Sequence, residues 1–349
     1  MLIHLRHETK PGERRTPLTP AGAKELIAKD FAIHVESSSM RIFTDDAYRA
    51  VGCDIVATGS WPEADKDAWI LGLKELPDEN FSLIHKHIYF AHAYKEQTGW
   101  QDILGRFKRG GGTLYDLEFL KDETGRRVAA FGYWAGYAGA AVAVDVWVKQ
   151  QQGKELLSCE VYTDQKSWIE KLKNDLENIS HKPTSMVMGA LGRSGKGASD
   201  LFAALDLDVL KWDMAETKEG GPFPEILQHN IFINCVLLFD KTPPFLTKEM
   251  LKGERKLSVI SDVSCDPTGP VNPLPIYDRI TTMTNPVLKI ETGSEPLDLI
   301  AIDHLPSLLP KESSLDYEQQ LLPHLKDLKM GSTVWDGAKE IFRAKTITV

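Results

Sequence analysis

Met186-Val187-Met188-Gly189-Ala190-Leu191-Gly192-Arg193-Ser194-Gly195-Lys196-Gly197-Ala198 reads as an apolar strand that enters a glycine-rich turn and then a helix. Glycines in such a turn let the backbone approach a pyrophosphate, whose charge then sits at the helix N-terminus. The spacing is G-x-x-G-x-x-G rather than G-x-G-x-x-G, so the turn alone decides little and its context must be read with it. Past the helix, an apolar strand over Val209 to Trp212 ends at Asp213, about twenty positions after the turn, where an acidic residue is expected to meet an adenine ribose. A carboxylate there accepts the two ribose hydroxyls and repels a 2′-phosphate. The expected site is a dinucleotide cradle made by Gly189, Leu191, Gly192, Arg193, Ser194, Gly195 and Asp213, with NAD favoured over NADP. The alternative is a tight turn with a purely structural role.

On both sides of this segment, strand-length apolar runs alternate with helix-length amphipathic stretches, the pattern of parallel sheets joined by crossover helices. Upstream, strands are expected over residues 2–5, 32–36, 54–57, 69–73, 87–91 and 113–117, with helices over 21–29 and 99–109. Downstream, strands are expected over 185–188, 209–212, 231–238, 259–263 and 299–302. The uncharged run 128–144 reads as a buried helix whose Gly and Ala residues let it back closely against a neighbour. The fold expected is α/β, with two Rossmann-like domains on parallel sheets and the active site in the inter-domain cleft. Residues 1–130 plus 313–349 form the substrate and catalytic domain, and 131–312 the NAD-binding domain, with a bridging helix over about 131–150. The polar stretch 149–182 reads as surface helix and loop, and the Leu-rich helices from Ser313 on pack back onto the first domain.

The chain has 349 residues, 42% apolar and 26% charged, a globular composition that excludes a disordered or collagenous protein. Its net charge of −9 and its lack of a long basic run argue against nucleic-acid binding. Run 128–144 falls short of the ~20 residues that span a bilayer, so no membrane anchor is expected. Cys53, Cys159, Cys235 and Cys265 make no C-x-x-C, which argues against a zinc knuckle; no metal ligand set is expected. Scattered cysteines and a charged start without an apolar signal core point to the cytoplasm. The oligomeric state is left open, a monomer included.

A second constellation comprises Arg15, Lys74, Glu75, His92, Lys95, Glu118, Arg126 and Arg127. Lys74-Glu75 and His92 each follow an apolar strand, and the carboxyl edge of an open parallel sheet faces the ligand crevice. Taken singly, these cations are ordinary surface groups and His92 a hydrogen-bonded structural histidine; convergence on one edge is what singles them out. A third feature is Asp303-His304 in Ile302 to Pro310, where an acid ends an apolar strand; the alternative is a helix start capped by Asp303.

Leu5 to Pro11 with Arg15 and Leu18-Thr19-Pro20, Gly72 to Glu75, Phe90 to Lys95, Thr113 to Glu118, Gly125 to Gly132, Gly189 to Gly197 and Ile302 to Pro310 together resemble the NAD-dependent, L-lysine-forming saccharopine dehydrogenases. These are kin of alanine dehydrogenase and of the transhydrogenase N-terminal domain. The resemblance covers nearly the whole chain and is weakest over 150–182. It implies oxidation of saccharopine by NAD with water to L-lysine and 2-oxoglutarate, in lysine synthesis by the 2-aminoadipate route. It implies Lys74 as the base that takes the ammonium proton. His92, poised near neutral pH, suits the acid–base work of imine hydrolysis, with Glu75 and Glu118 tuning both electrostatically. It further implies that Arg15 and Arg127, with Arg126 beside them, grip carboxylates, that Phe131 is an apolar wall, and that Asp303 meets the lysine ammonium with Lys95 as its charge partner. The alternatives are an alanine-dehydrogenase-like enzyme for a small primary amine and a non-catalytic NAD-binding module.

Overall fold

The computed structural model describes residues 1–95, 99–238, 240–290 and 295–347. The chain divides into Met1–Ala130 with Pro310–Val349, and Phe131–Leu309.

The first unit is built on six parallel strands, β1 (Leu2–Leu5), β2 (Ala32–Glu36), β3 (Asp54–Val56), β4 (Trp69–Leu71), β5 (Lys86–Tyr89) and β6 (Thr113–Asp116), in the order β3-β2-β1-β4-β5-β6. Helix α1 (Pro20–Ile27) starts as the sequence suggests: Thr19 is extended and accepts the Gly22 N–H, and Pro20 occupies the first turn, where its missing N–H costs nothing. A short helix, α2 (Asp45–Arg49), was not legible, because five residues that bury only Tyr48 show no period. Helix α3 (Trp100–Gly110) runs between left-handed Gly99 and Gly111 and buries Leu104 and Phe107. The strands expected to reach Leu73, Ala91 and Leu117 stop earlier. Those apolar residues remain buried, but the N–H groups of Leu73 and Lys74 turn to the Glu8 side chain instead of a neighbouring strand.

The second unit carries α4 (Gly132–Gln151), α5 (Gln165–Glu177), α6 (Arg193–Ala204) and α7 (Met214–Thr217) around a second sheet. Its strands are β7 (Ser185–Met188), β8 (Val209–Trp212), β9 (Ile231–Asn234), β10 (Val259–Asp262), β11 (Leu288–Lys289) and β12 (Asp298–Ile300), in the order β11-β12-β10-β9-β7-β8. All pair in parallel except β11, a two-residue antiparallel edge too short for the sequence to reveal. Two expectations need correcting here. The helix expected over 128–144 starts later: left-handed Gly125 closes a turn in which Arg127 bridges Lys121, and α4 begins only at Gly132. Residues 149–182 are not all surface, since α5 buries Trp168, Leu172 and Leu176 in the main core, three anchors at helical spacing that suffice despite polar surroundings. No described helix is long and apolar enough to cross a membrane.

The last helices, α8 (Pro310–Lys326) and α9 (Thr333–Thr346), belong to the first unit. Glu318 of α8 accepts the Thr19 hydroxyl at 2.7 Å and also its N–H, clamping the start of α1. Phe342 of α9 joins the core of Leu83, Leu104, Phe107 and Leu114.

In the second unit α4 and α6 touch backbone to backbone: a Cβ on Gly136 would lie 1.7 Å from the Ser194 carbonyl oxygen. Gly136→Ala should therefore lower the unfolding free energy by about 1–3 kcal/mol, the range for overpacking. Gly337→Ala in α9, where a Cβ meets nothing within 4 Å, should raise it by about 0.4–1 kcal/mol. Urea unfolding of both variants checks the pair; equal shifts would mean that the helix crossing tolerates a side chain.

Candidate active site

In the first sheet, β1 lies between β2 and β4, so the chain's order reverses there and the loops leaving β1 and β4 diverge at the carboxyl edge. A crevice opens at such a switch point. The loop after β1 brings Arg6, Glu8, Glu13 and Arg15 to this edge, β4 brings Lys74 and Glu75, β5 brings His92 and β6 brings Glu118. The Lys74 backbone is held at both ends. Glu8 accepts the N–H groups of Leu73 at 2.7 Å and Lys74 at 2.8 Å, while the Arg6 guanidinium donates to the Lys74 carbonyl and lies 3.5 Å from Glu8. Arg15 is buried and donates through Nε and Nη2 to the two oxygens of Glu13, at 2.8 and 2.6 Å, a bidentate pair that fixes its plane. Burial lowers the Lys74 pKa from the ordinary lysine value; Arg15 deepens the fall and Glu13 and Glu75 oppose it.

His92 has a left-handed backbone, φ 54°, a conformation that costs a residue with a Cβ about 1–2 kcal/mol and turns its ring out of the strand direction. The ring stacks on Phe90 at 6.3 Å, and Nε2 lies 3.5 Å from Glu75 Oε1. Burial lowers the His92 pKa, outweighing the Glu75 and Glu118 carboxylates, so the neutral ring dominates at pH 7. Glu118 accepts from Lys95 at 2.9 Å and Arg127 at 2.8 Å. Burial raises its pKa, but Arg127 and Lys95 together pull it below the usual value. Arg126 is exposed in the turn, and no described contact joins its guanidinium to this group. Neighbouring Asp116 accepts the Glu118 N–H at 2.9 Å, and burial pushes its carboxyl up to about 7. Glu8, Glu13 and Asp116 were not singled out from the sequence. The alternation Arg6-x-Glu8 and Glu13-x-Arg15 after an apolar strand was the available signal.

In the second unit the glycine-rich turn follows β7. Gly189 is left-handed, φ 78°, and a Cβ on Gly195 would fall 2.0 Å from the Gly189 carbonyl oxygen, so neither position of the turn accommodates a side chain. Gly192 caps α6 without a side chain, leaving Arg193 and Ser194 to start the helix. Asp213 accepts the Leu191 N–H at 2.8 Å and the Met214 N–H at 2.8 Å, so its carboxylate stands at the rim of the turn. A bare turn, a helix N-terminus and a carboxylate at the end of the next strand fit a dinucleotide. Phe131 is the cap residue of α4. Asp303 pairs with the Nδ1 of His304 and leaves the helical cap to His304, so the capping alternative fails.

Residues 4–138 match the family "Alanine dehydrogenase/PNT, N-terminal domain" and residues 186–349 the family "Alanine dehydrogenase/PNT, C-terminal domain". The "Saccharopine dehydrogenase [NAD(+), L-lysine-forming]" of Yarrowia lipolytica is 49% identical over 97% of this chain and 96% of its own length. That of Candida glabrata is 48% identical over 97% and 95%. Among solved structures, an L-alanine dehydrogenase superposes with a TM-score of 0.71 at 17% identity, covering 98% of this chain and 94% of its own, a likeness of fold.

The electrostatics of Lys74 can be tested without reference to any reaction. Its acylation, followed against pH by peptide mass spectrometry, should have a midpoint below that of exposed lysines, because burial disfavours the ammonium. Glu13→Gln removes an opposing negative charge and should move the midpoint lower; Arg15→Gln should move it higher. A midpoint indifferent to both changes would show that neither charge acts on Lys74.

Proposed function

We infer the function of this chain from one premise: it belongs to the NAD-dependent, L-lysine-forming saccharopine dehydrogenases, within the alanine dehydrogenase/PNT family. It is an oxidoreductase of small molecules that converts saccharopine, NAD and water to L-lysine, 2-oxoglutarate and NADH, in lysine synthesis by the 2-aminoadipate route. The full-length matches favour neither an alanine-dehydrogenase-like activity nor a non-catalytic module.

The observation that carries the assignment of roles is that Lys74 and His92, after the paired strands β4 and β5, both have proton affinities depressed by burial. Saccharopine's secondary amine is an ammonium at neutral pH, and its nitrogen needs a free lone pair before the adjacent carbon can be oxidised. Neutral Lys74 takes that proton. NAD, which the turn after β7 and Asp213 would hold, would supply the acceptor for the hydride that leaves that carbon. Neutral His92 then takes a proton from the attacking water and returns one to the departing lysine nitrogen. Glu75 and Glu118 limit the fall in proton affinity that burial imposes on His92. Arg15 and Arg127, planar donors, take the carboxylates of the 2-oxoglutarate part, with Phe131 as an apolar wall and Arg126 adding positive field. Lys95 and Arg127 already share Glu118, so an incoming carboxylate competes with Glu118 for them. Asp303 takes the ammonium of the lysine part. The turn Gly189 to Gly195 holds the pyrophosphate of NAD, and Asp213 the ribose hydroxyls. Four unpaired thiols suit a reducing compartment, and the cytoplasm is the proposed location.

NADH formation should be seen with saccharopine and not with alanine or glutamate. Lys74→Met and His92→Gln should each lower turnover by about 10²–10⁴, the usual worth of general acid–base catalysis, with NADH binding preserved. A variant that keeps wild-type turnover and pH profile would clear its residue of that role. In the reverse reaction, Arg15→Ala and Arg127→Ala should raise the Michaelis constant of 2-oxoglutarate far more than that of lysine, and Asp303→Ala the reverse. Equal effects on both substrates would remove these three residues from substrate recognition.

A further inference from the structure

The first unit holds a cavity of about 560 Å³ whose lining, running to the first turns of α3, includes Glu75 and His92 but is otherwise given no role above. Two polar side chains in its lining are almost wholly buried, Tyr89 at 1% and Arg106 at 2% exposure. The Tyr89 hydroxyl and Nη2 of Arg106 meet no hydrogen-bond partner among the described residues. The rest of the guanidinium is fixed: Nε donates to the Phe81 carbonyl at 3.0 Å and Nη1 to that of Pro77 at 3.2 Å. Buried polar atoms ordinarily find partners. Two donors lining one cavity call for an anionic acceptor, and a carboxylate suits a guanidinium edge beside a phenol.

The exposed lining has the opposite sign. Asp78, Glu79 and Asp102 face the same space, and Glu75 joins them next to His92. Four carboxylates against the one guanidinium repel dianions such as 2-oxoglutarate and attract cations. A ligand that satisfies both ends carries a carboxylate and more than one ammonium.

We propose that this cavity binds a basic L-amino acid, with its carboxylate on Tyr89 and Arg106 and its ammonium groups toward Asp78, Glu79 and Asp102. Resting on the functional reading above, that amino acid is the product L-lysine, the one participant in the reaction with net positive charge. Glu75 and His92 are themselves part of its lining, so the product has a resting place beside the acid–base group.

Calorimetric titration of the full-length enzyme with L-lysine tests this, with saccharopine and NADH at saturation to fill the catalytic site. The expected result is one lysine bound per chain. L-norleucine, without the side-chain ammonium, and cadaverine, without the carboxylate, should each bind at least tenfold more weakly. Asp102→Asn and Tyr89→Phe should each weaken lysine severalfold to tenfold, with saccharopine turnover unchanged. An active enzyme that takes up no lysine under these conditions would overturn the proposal, as would cadaverine binding as well as lysine or affinity untouched by both variants. Lack of turnover on saccharopine would instead sink the functional reading, while lysine uptake that depends on Asp102 and Tyr89 would still support the site.

Discussion

Glu8 lies buried where β1 ends, and its oxygens accept two consecutive backbone N–H groups, those of Leu73 and Lys74. Removing a carboxylate from water costs several kcal/mol, and despite Arg6 and the two N–H bonds, burial still raises the Glu8 pKa. The expense has a structural return. The chain after β4 cannot continue as a strand, because its N–H groups are taken by a side chain and the Lys74 carbonyl by Arg6. Lys74 is thus held by groups from a loop that begins with Arg6, 68 positions earlier in sequence, at the point where the sheet order reverses. Without Glu8 two N–H groups would be left unpaired in a dry setting, at about 1–3 kcal/mol each, and the peptide that carries Lys74 would lose its anchor.

The same dryness sets the protonation states. Lys74 and His92 both have carboxylates within electrostatic reach, which would favour their charged forms, yet the net shift of both is downward because desolvation is the larger effect. The carboxylates therefore act as a brake on the fall. Asp116 shows what happens where compensation is too weak: burial and the Glu118 charge outweigh the Glu118 and Ala91 N–H groups and Lys95, and its pKa rises to about 7. A folded pKa raised this far means that the native state binds more protons than the unfolded chain between the ordinary carboxylate range and pH 7. Stability is lost as pH climbs through that window. The burial that lowers the Lys74 pKa at this edge thus has a cost in fold stability, and Asp116 bears part of it.

Much of this was legible in the sequence, and the misses have physical causes. β1, β2, β7 and β8 match the expected residues end to end, and each stops at a polar or turn-forming residue, Arg6, Ser37, Gly189 and Asp213. The strand expected over 69–73 ends where buried Leu73 leaves the ladder and donates its N–H to the Glu8 side chain, an event that hydropathy does not record. α5 was underrated because three apolar positions spaced by four carry its whole buried face. The positions of Lys74, Glu75 and His92 followed from strand ends, whereas Glu8 and Glu13 looked like solvated charges. Only the fold brings Glu8 to the Lys74 peptide, 66 positions away, and buries Glu13 against Arg15.

The irregular glycine spacing of the nucleotide turn has its explanation in two separate demands. Gly189 and Gly195 face each other across the turn, where a Cβ on Gly195 would meet the Gly189 carbonyl and the Ala190 Cα. Their absence of side chains keeps the approach to a pyrophosphate open. Gly197 answers to a different neighbour: its Cβ would lie 1.9 Å from the Tyr133 carbonyl oxygen on α4. With Gly136 on the facing helix it lets α4 and α6 cross in backbone contact, which sets the tilt of α6 and so the direction of its N-terminal N–H groups. Gly192, by contrast, caps α6 in an extended conformation open to other residues, with only a 3.3 Å approach to the Gly189 carbonyl. The pattern is therefore a turn requirement at Gly189 and Gly195 overlaid on a helix-crossing requirement at Gly197. Asp213, tied to the Leu191 N–H, holds the turn to the end of β8 whatever the spacing between the glycines.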